Sequence, residues 1–332
     1  MPLHCMENLL MSKIDNIIIL TGPTGSGKTS ISIKIAQYMP EIEIISADSM
    51  QIYKYLNIGT DKPKYGILNK YVHHCIDLVE PSDNYDVMQY TKQAQQCIVN
   101  TLYRDKKPLI VGGTGLYIQS LIKPIFNGPG RDQNIRDKLA ELVKKKGNRV
   151  LYNQLAKVDP QYSNKISQND TKRIIRALEV FYLTGKPLSY FHQNANINQT
   201  ETKYNYYIIC IHMNRKKLYQ KINERVERMI DHGLIEETNS IIEKYKYKNI
   251  NLNMLNSMQG LGYKQVISYL KGNISKEESI EMIKKETRNF AKRQLSWFRN
   301  QIPVDCWINL DDYKNIQECI EKILSIMRGK GY

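Results

Sequence analysis

The chain has no two cysteines at C-x-x-C spacing. Its six cysteines, Cys5, Cys75, Cys97, Cys210, Cys306 and Cys319, are scattered singly over 332 residues. That spacing excludes a zinc ribbon and offers no disulfide framework, and it fits a reducing, cytoplasmic setting. No apolar run approaches the roughly 20 residues that span a bilayer, so no membrane-spanning part is expected. Met1–Lys13 has a short apolar patch without a signal-peptide cleavage pattern. Met6 and Met11 are further possible starts. Repeats and low-complexity segments are also missing. Hydrophobic residues at 42% and charged residues at 24% describe an ordinary folded protein.

Acidic side chains are in short supply: 33 against 48 basic ones, a net charge of +15. An AT-rich coding bias toward Ile, Lys, Asn and Tyr accounts for some lysine, but a bias of that kind acts evenly. The excess does not. Residues 1–130 carry 12 basic and 11 acidic groups, residues 131–200 carry 13 and 6, and residues 201–332 carry 23 and 16. The asymmetry points to a polyanionic partner such as nucleic acid, engaged by the later part of the chain.

Asn16–Leu20 is a β-branched run that reads as a buried strand ending on a glycine loop. A helix is expected over Thr29–Met39, stopped by Pro40. Strands are expected at Ile42–Ile45 and Pro108–Val111, with a helix over Tyr85–Tyr103 between them. This β-loop-α-β-α-β order predicts an α/β fold, a P-loop NTPase-like parallel sheet with flanking helices. The segments after the three strand ends, carrying Thr24, Asp48 and Thr114, should converge on one crevice. Gly128-Pro129-Gly130 marks a boundary. Helices at Asn134–Lys146, Val150–Val158 and Thr171–Thr184 follow, the last stopped by Gly185-Lys186-Pro187. His192–Thr202 reads as a polar loop, and Tyr206–Ile211 as a strand that rejoins the sheet. The expected domains are therefore residues 1–130 with 203–332 as the core and 131–202 as a helical insertion. Lys217–His232 and Lys276–Asn300 read as long basic helices.

Gly22-Pro23-Thr24-Gly25-Ser26-Gly27-Lys28-Thr29 fits G-x-x-x-x-G-K-[ST] between a strand and a helix. Its glycines let backbone N–H groups face phosphate oxygens, Lys28 adds charge, and the Thr29 hydroxyl suits Mg²⁺. A P-loop enzyme that moves a phosphoryl group commonly has an Asp closing a neighbouring strand. Here the strand PLIV closes instead on Gly112-Gly113-Thr114-Gly115. The acid nearest a strand end is Asp48, which could accept a proton or merely cap a turn. Thr114 could meet a ligand or cap a helix. In Lys292–Arg299 basic residues interleave with Trp297 and Phe298. Lys292, Ser296 and Arg299 share a helix face, and the two aromatics serve the core or stack on bases. Lys172, Arg173 and Arg176 form a second basic patch, or a solvated face.

Taken together these motifs resemble the bacterial tRNA dimethylallyltransferases, also called tRNA isopentenyltransferases. The resemblance runs from about Ile17 to Trp307. It is carried in order by Gly22–Thr29, Ser46–Pro63 (SADSMQIYKYLNIGTDKP), His73–Asp77 (HHCID), Val111–Tyr117 (VGGTGLY), Asn169–Val180, Met258–Gln265 (MQGLGYKQ) and Lys292–Arg299 (KRQLSWFR). It implies transfer of a dimethylallyl group from dimethylallyl diphosphate to N6 of adenosine 37, in the tRNA anticodon stem-loop, with Mg²⁺ as cofactor. It implies that Gly22–Thr29 hold the diphosphate, that Asp48 is the general base, that Thr114 lines the substrate channel, and that Arg225 stabilises the leaving diphosphate. The tRNA contacts it implies are Asp48, Ser49, Met50, Gln51, Thr114, Arg136, Lys172, Arg173, Ile174, Ile175, Arg176, Gln259, Gly260, Leu261, Gly262, Tyr263, Lys264, Lys292, Arg293, Gln294, Trp297 and Arg299. A monomer is expected. Gly25 stands where relatives often have alanine, and no C-terminal zinc finger of the eukaryotic kind is present. From the P-loop and fold alone, a nucleoside or small-molecule kinase with residues 131–200 as its lid is the alternative, and a non-catalytic RNA-binding P-loop protein is a third.

Overall fold

A computed structural model describes residues 16–123, 128–197, 204–246 and 255–332. The expectations for Met1–Lys13 and the start methionines, and the end of the loop expected at His192–Thr202, lie outside these residues. The first strand, β1 (Asn16–Thr21), runs into the glycine loop, and helix α1 (Lys28–Tyr38) follows. Then come β2 (Ile42–Ala47), α2 (Tyr65–Lys70), β3 (His73–His74), α3 (Val87–Tyr103), β4 (Lys107–Gly112) and α4 (Gly115–Ile122). Asp86 starts α3 with a capping box: its carboxylate accepts the N–H groups of Met88 and Gln89, and the Gln89 side chain returns to the Asp86 N–H.

After the insertion the chain re-enters as β5 (Asn205–His212). The strands align in the order β3-β2-β4-β1-β5 and end with β6 (Cys306–Asn309), every pairing parallel. Both faces of this sheet are covered, which is why its strands read as unbroken apolar runs. Ile18 and Leu20 point to the side where α1 packs, with Cys319, Ile320, Ile323 and Leu324 of the last helix, Ile316–Gly329. Ile17 and Ile19 point to the other side, against Ala94 and Ile98 of α3, Tyr117 and Ile118 of α4, and Phe298. The sequence pattern missed β3, β6 and the last helix, whose pairing and packing partners are remote in the chain.

The chain folds as two compact units, Met1–Ile122 with Thr202–Tyr332, and Lys123–Glu201. The second holds α5 (Gln133–Lys146), α6 (Asn148–Val158), α7 (Pro160–Ser163), α8 (Thr171–Thr184) and α9 (Leu188–Ile197). Its core is Leu139, Leu151, Leu155, Ile174, Ala177, Leu178, Val180 and Leu188. Here α9 corrects the sequence reading, since residues 192–197 are helical. Asp159, itself buried, accepts the Ser189 N–H at 2.8 Å and fixes the start of a helix whose second half, from His192, is mostly polar. In the first unit β5 leads into α10 (Arg215–Asp231), α11 (Leu234–Lys246), α12 (Tyr263–Leu270) and the 26-residue α13 (Lys276–Gln301). These helices pack with Ile52, Tyr53 and Leu56 into a third core.

Candidate active site

The glycine loop takes its shape from residues an L side chain would strain. Gly25 and Gly27 have φ of +80° and +90°. A methyl group on Gly25 would also strike Ile222 of α10 at 2.8 Å. The loop delivers the chain to α1, whose first N–H groups lack intrahelical partners and carry the positive end of the helix. Lys28 turns back onto its own loop and donates from Nζ to Gly22 O at 2.9 Å and Pro23 O at 2.8 Å. Burial lowers its pKa to about 8; the Asp48 carboxylate pulls the other way and the Arg225 charge adds to the lowering. The Ser26 hydroxyl is buried inside the loop without a hydrogen-bond partner among the described residues.

Two side chains from distant elements reach the loop. Gln294 of α13 accepts the Thr24 N–H through Oε1 at 2.8 Å and donates from Nε2 to Gly113 O at 2.7 Å. Arg225 of α10 donates from Nη1 to Thr24 Oγ1 at 3.0 Å, and the same nitrogen lies 3.5 Å from Asp61 Oδ2. The sequence pattern carries no signal for Asp61 or for Gln294 as a bridge. Both depend on contacts far apart in the chain.

Asp48 follows β2 and turns on itself. Its Oδ1 accepts the Met50 N–H at 2.8 Å, so the turn-capping role is real. Oδ2 has no hydrogen-bond partner among the described residues. Asp48 lines one cavity with Lys28, Thr29, Ser46, Gln51 and His73. Thr114 also has a structural duty: its Oγ1 accepts the Ser49 N–H at 3.0 Å, and its carbonyl starts α4. The glycines around it are needed by the protein's own packing. A methyl group on Gly113 would meet Gln294 Nε2 at 2.5 Å, and one on Gly115 would meet the Trp297 ring at 2.3 Å.

The segments singled out from sequence meet here. Met50 lies over Gly260, where an added methyl would touch its Cε at 2.4 Å. Gly262, Tyr263 and Gln294 are buried; Ser49, Met50, Leu261, Lys264 and Trp297 are half-buried; Gln259, Lys292, Arg293 and Arg299 are exposed. Lys264 pairs with Glu286. Gln51 is buried, accepting from Ser46 Oγ at 3.1 Å. Lys292, Ser296 and Arg299 do share a face, and they line a cleft of about 490 Å³ with His212, Arg215 and Tyr219. Phe298 is core and Trp297 packs on Gly115, so both aromatics are placed by packing.

The patch in the insertion is partly committed to the fold. Glu179, 0% exposed, accepts from Arg136 Nε at 2.7 Å and Nη2 at 2.9 Å, from Arg176 Nη1 at 2.7 Å and from the Asp132 N–H at 2.8 Å. Arg176 also donates to Pro129 O. Ile174 is core and Ile175 lies at its edge. Arg173 pairs with Asp170, the cap of α8. Lys172 is exposed without a partner among the described residues.

The pattern of the IPP transferase family matches residues 51–301. The chain belongs to the IPP transferase family. It is 41% identical over 312 residues to a tRNA dimethylallyltransferase of Acetivibrio thermocellus, covering 93% of this chain and 96% of that one. It is 43% identical over 324 residues to the enzyme of that name from Natranaerobius thermophilus, covering 97% and 93%. Among solved structures it is similar to the tRNA isopentenylpyrophosphate transferase of Bacillus halodurans, with 35% identity, a TM-score of 0.67 and coverage of 96% and 97%. A eukaryotic dimethylallyltransferase acting on tRNA matches with 27% identity and a TM-score of 0.75, over 95% of this chain and 80% of that one. An IPP transferase moves an isoprenoid unit off a diphosphate. The kinase alternative falls with this membership, and the bare strand end at Gly112 is explained: no phosphoryl group is moved.

Proposed function

We propose that this IPP transferase moves the dimethylallyl group of dimethylallyl diphosphate to N6 of adenosine 37 in tRNA, releasing diphosphate. One observation carries the reading. A phosphate loop with Lys28 and Arg225 beside it shares its rim with a carboxylate, Asp48, in a chain that matches tRNA dimethylallyltransferases over nearly its whole length. The adenine amine is a weak nucleophile. As its nitrogen bonds to the allylic carbon, the C–O bond to diphosphate breaks and the N6 proton passes to Asp48 Oδ2. Charge growing on the diphosphate meets the loop N–H groups, Lys28 and Arg225, which are set in place before the reaction.

The residues present fit Mg²⁺ that is held chiefly by substrate oxygens. No group of three or more His, Cys, Asp or Glu able to cage a metal occurs among the described residues. Thr29 lies in the first turn of α1 and lines the Asp48 cavity, and the Ser26 hydroxyl, without a partner among the described residues, lies in the same loop. Thr29 would hold the ion, which would neutralise diphosphate charge.

The adenosine must leave its stack to reach Asp48. Thr114, Ser49 to Gln51, Gln259 to Lys264 and Lys292 to Arg299 are proposed to receive the tRNA, with Arg136 and Lys172 to Arg176 as further contacts. Each chain carries the full set of site residues, which supports action as a monomer. Among the described residues no helix is long and apolar enough to cross a membrane. The test is mass analysis of nucleosides from tRNA treated with the protein, Mg²⁺ and dimethylallyl diphosphate. The expected product is adenosine 37 carrying one five-carbon unit; an unmodified adenosine with turnover of ATP instead overturns the reading.

A further inference from the structure

Asp61 occupies a turn that the protein fastens from two sides. Beneath it, the Glu237 carboxylate of α11 accepts the N–H groups of Asn57 at 3.1 Å, Ile58 at 2.9 Å and Gly59 at 3.4 Å, and the Tyr263 hydroxyl at 2.6 Å. On the other side Lys62, its side chain 3% exposed, donates to Tyr53 O, Asn57 Oδ1 and Asp77 Oδ1. Between these anchors Asp61 has φ of +53°, a left-handed conformation tolerated best by Gly, Asn and Asp. Its side chain is 60% exposed, and its carboxylate is directed at Arg225.

The pairing matters because Arg225 Nη1 is shared. The same nitrogen lies 3.0 Å from Thr24 Oγ1 in the phosphate loop and 3.5 Å from Asp61 Oδ2. A diphosphate seated in the loop needs the charge that Asp61 partly offsets, and it is also repelled by the Asp61 carboxylate. Both effects weaken diphosphate binding. We propose that Asp61 is a counter-ion that competes with diphosphate for Arg225 and so sets how readily diphosphate leaves the loop. It is a positioning residue, acting through Arg225 and not on the isoprenoid or the amine. The proposal rests on the reading of the P-loop as a diphosphate site.

Inorganic diphosphate with Mg²⁺, titrated calorimetrically into the intact protein, tests it. Asp61→Asn keeps the shape and the left-handed preference and removes the charge. Asp61→Ala serves as the second variant, and thermal melts show which variants are folded. Both should bind diphosphate about three- to tenfold more tightly, the range of a partly exposed ion pair plus a nearby repulsion. The gain should shrink as salt is raised, and tRNA affinity should stay unchanged. On an Arg225→Ala background the same exchange should yield a clearly smaller gain, the part left by direct repulsion alone. Unchanged or weaker diphosphate binding in a folded variant overturns the proposal, and so does an equal gain without Arg225. Failure of the prenyl-transfer reading shows separately, as wild-type protein that binds diphosphate but leaves adenosine 37 unmodified. Wild-type protein that binds no diphosphate overturns both.

Discussion

At the scale of single residues, the site is built from side chains doing two jobs at once. Asp48 caps its own turn through Oδ1 and leaves Oδ2 without a hydrogen-bond partner among the described residues, open for the proposed base role. Replacing it with Asn should preserve the cap and lower kcat about a hundredfold or more, the usual worth of a positioned base. tRNA affinity, read by filter binding, should change little; equal loss of affinity and rate would remove Asp48 from the base role. Lys28 is buried enough that its pKa falls to about 8. Its charge is present below that pH and lost above it. The kcat/KM for dimethylallyl diphosphate should therefore fall about tenfold per pH unit beyond about 8, and Lys28→Ala should abolish that break. A profile flat to pH 10 would show that the lysine is not the titrating group.

At the scale of elements, the P-loop is tied in place by a helix whose Gln294 lies 270 residues from Thr24 in sequence. Gln294 of α13 ties Thr24 to Gly113, joining the ends of β1 and β4. Gln294→Ala strands one N–H and one carbonyl, a loss of about 1–3 kcal/mol in stability by urea unfolding, with a raised KM for the diphosphate substrate. Gln294→Glu keeps an acceptor for Thr24 but adds a negative charge beside the loop, so its KM should rise further than that of the alanine variant. If both leave KM unchanged, the bridge does not shape the loop. The basic residues of α8 divide by the same logic. Arg176 is held by Glu179 and Pro129, and Lys172 has no partner among the described residues.

At the scale of the whole molecule, the positive excess after residue 130 is expected to steer the proposed tRNA substrate over long range. Lys172→Ala should lower the slope of log affinity for tRNA against log salt by about 1 and leave the melting temperature alone. Arg176→Ala should lower the melting temperature first, because it leaves a buried carboxylate short of a partner. Identical behaviour of the two variants would contradict this division of labour.

Local physics made much of this legible in the sequence. Apolar runs marked β1, β2, β4 and β5, because a strand covered on both faces must be apolar throughout. Glycines at set spacing marked the phosphate loop, since few other residues take its backbone angles. The long helices α10 and α13 showed in their periodicity. The tertiary structure decided what depends on distant partners. The pairing of β3 and β6 is one case, and the helix at residues 192–197, anchored by Asp159, is another. The burial of Gln294 is a third, and the sharing of Arg225 between Thr24 and Asp61 a fourth. A hydrogen bond or ion pair across a hundred residues leaves no periodic trace, because either residue type would serve equally well in isolation. The sequence alone determines that a phosphate-binding loop forms. Packing decides which cation faces it, how firmly it is held and which carboxylate competes for it.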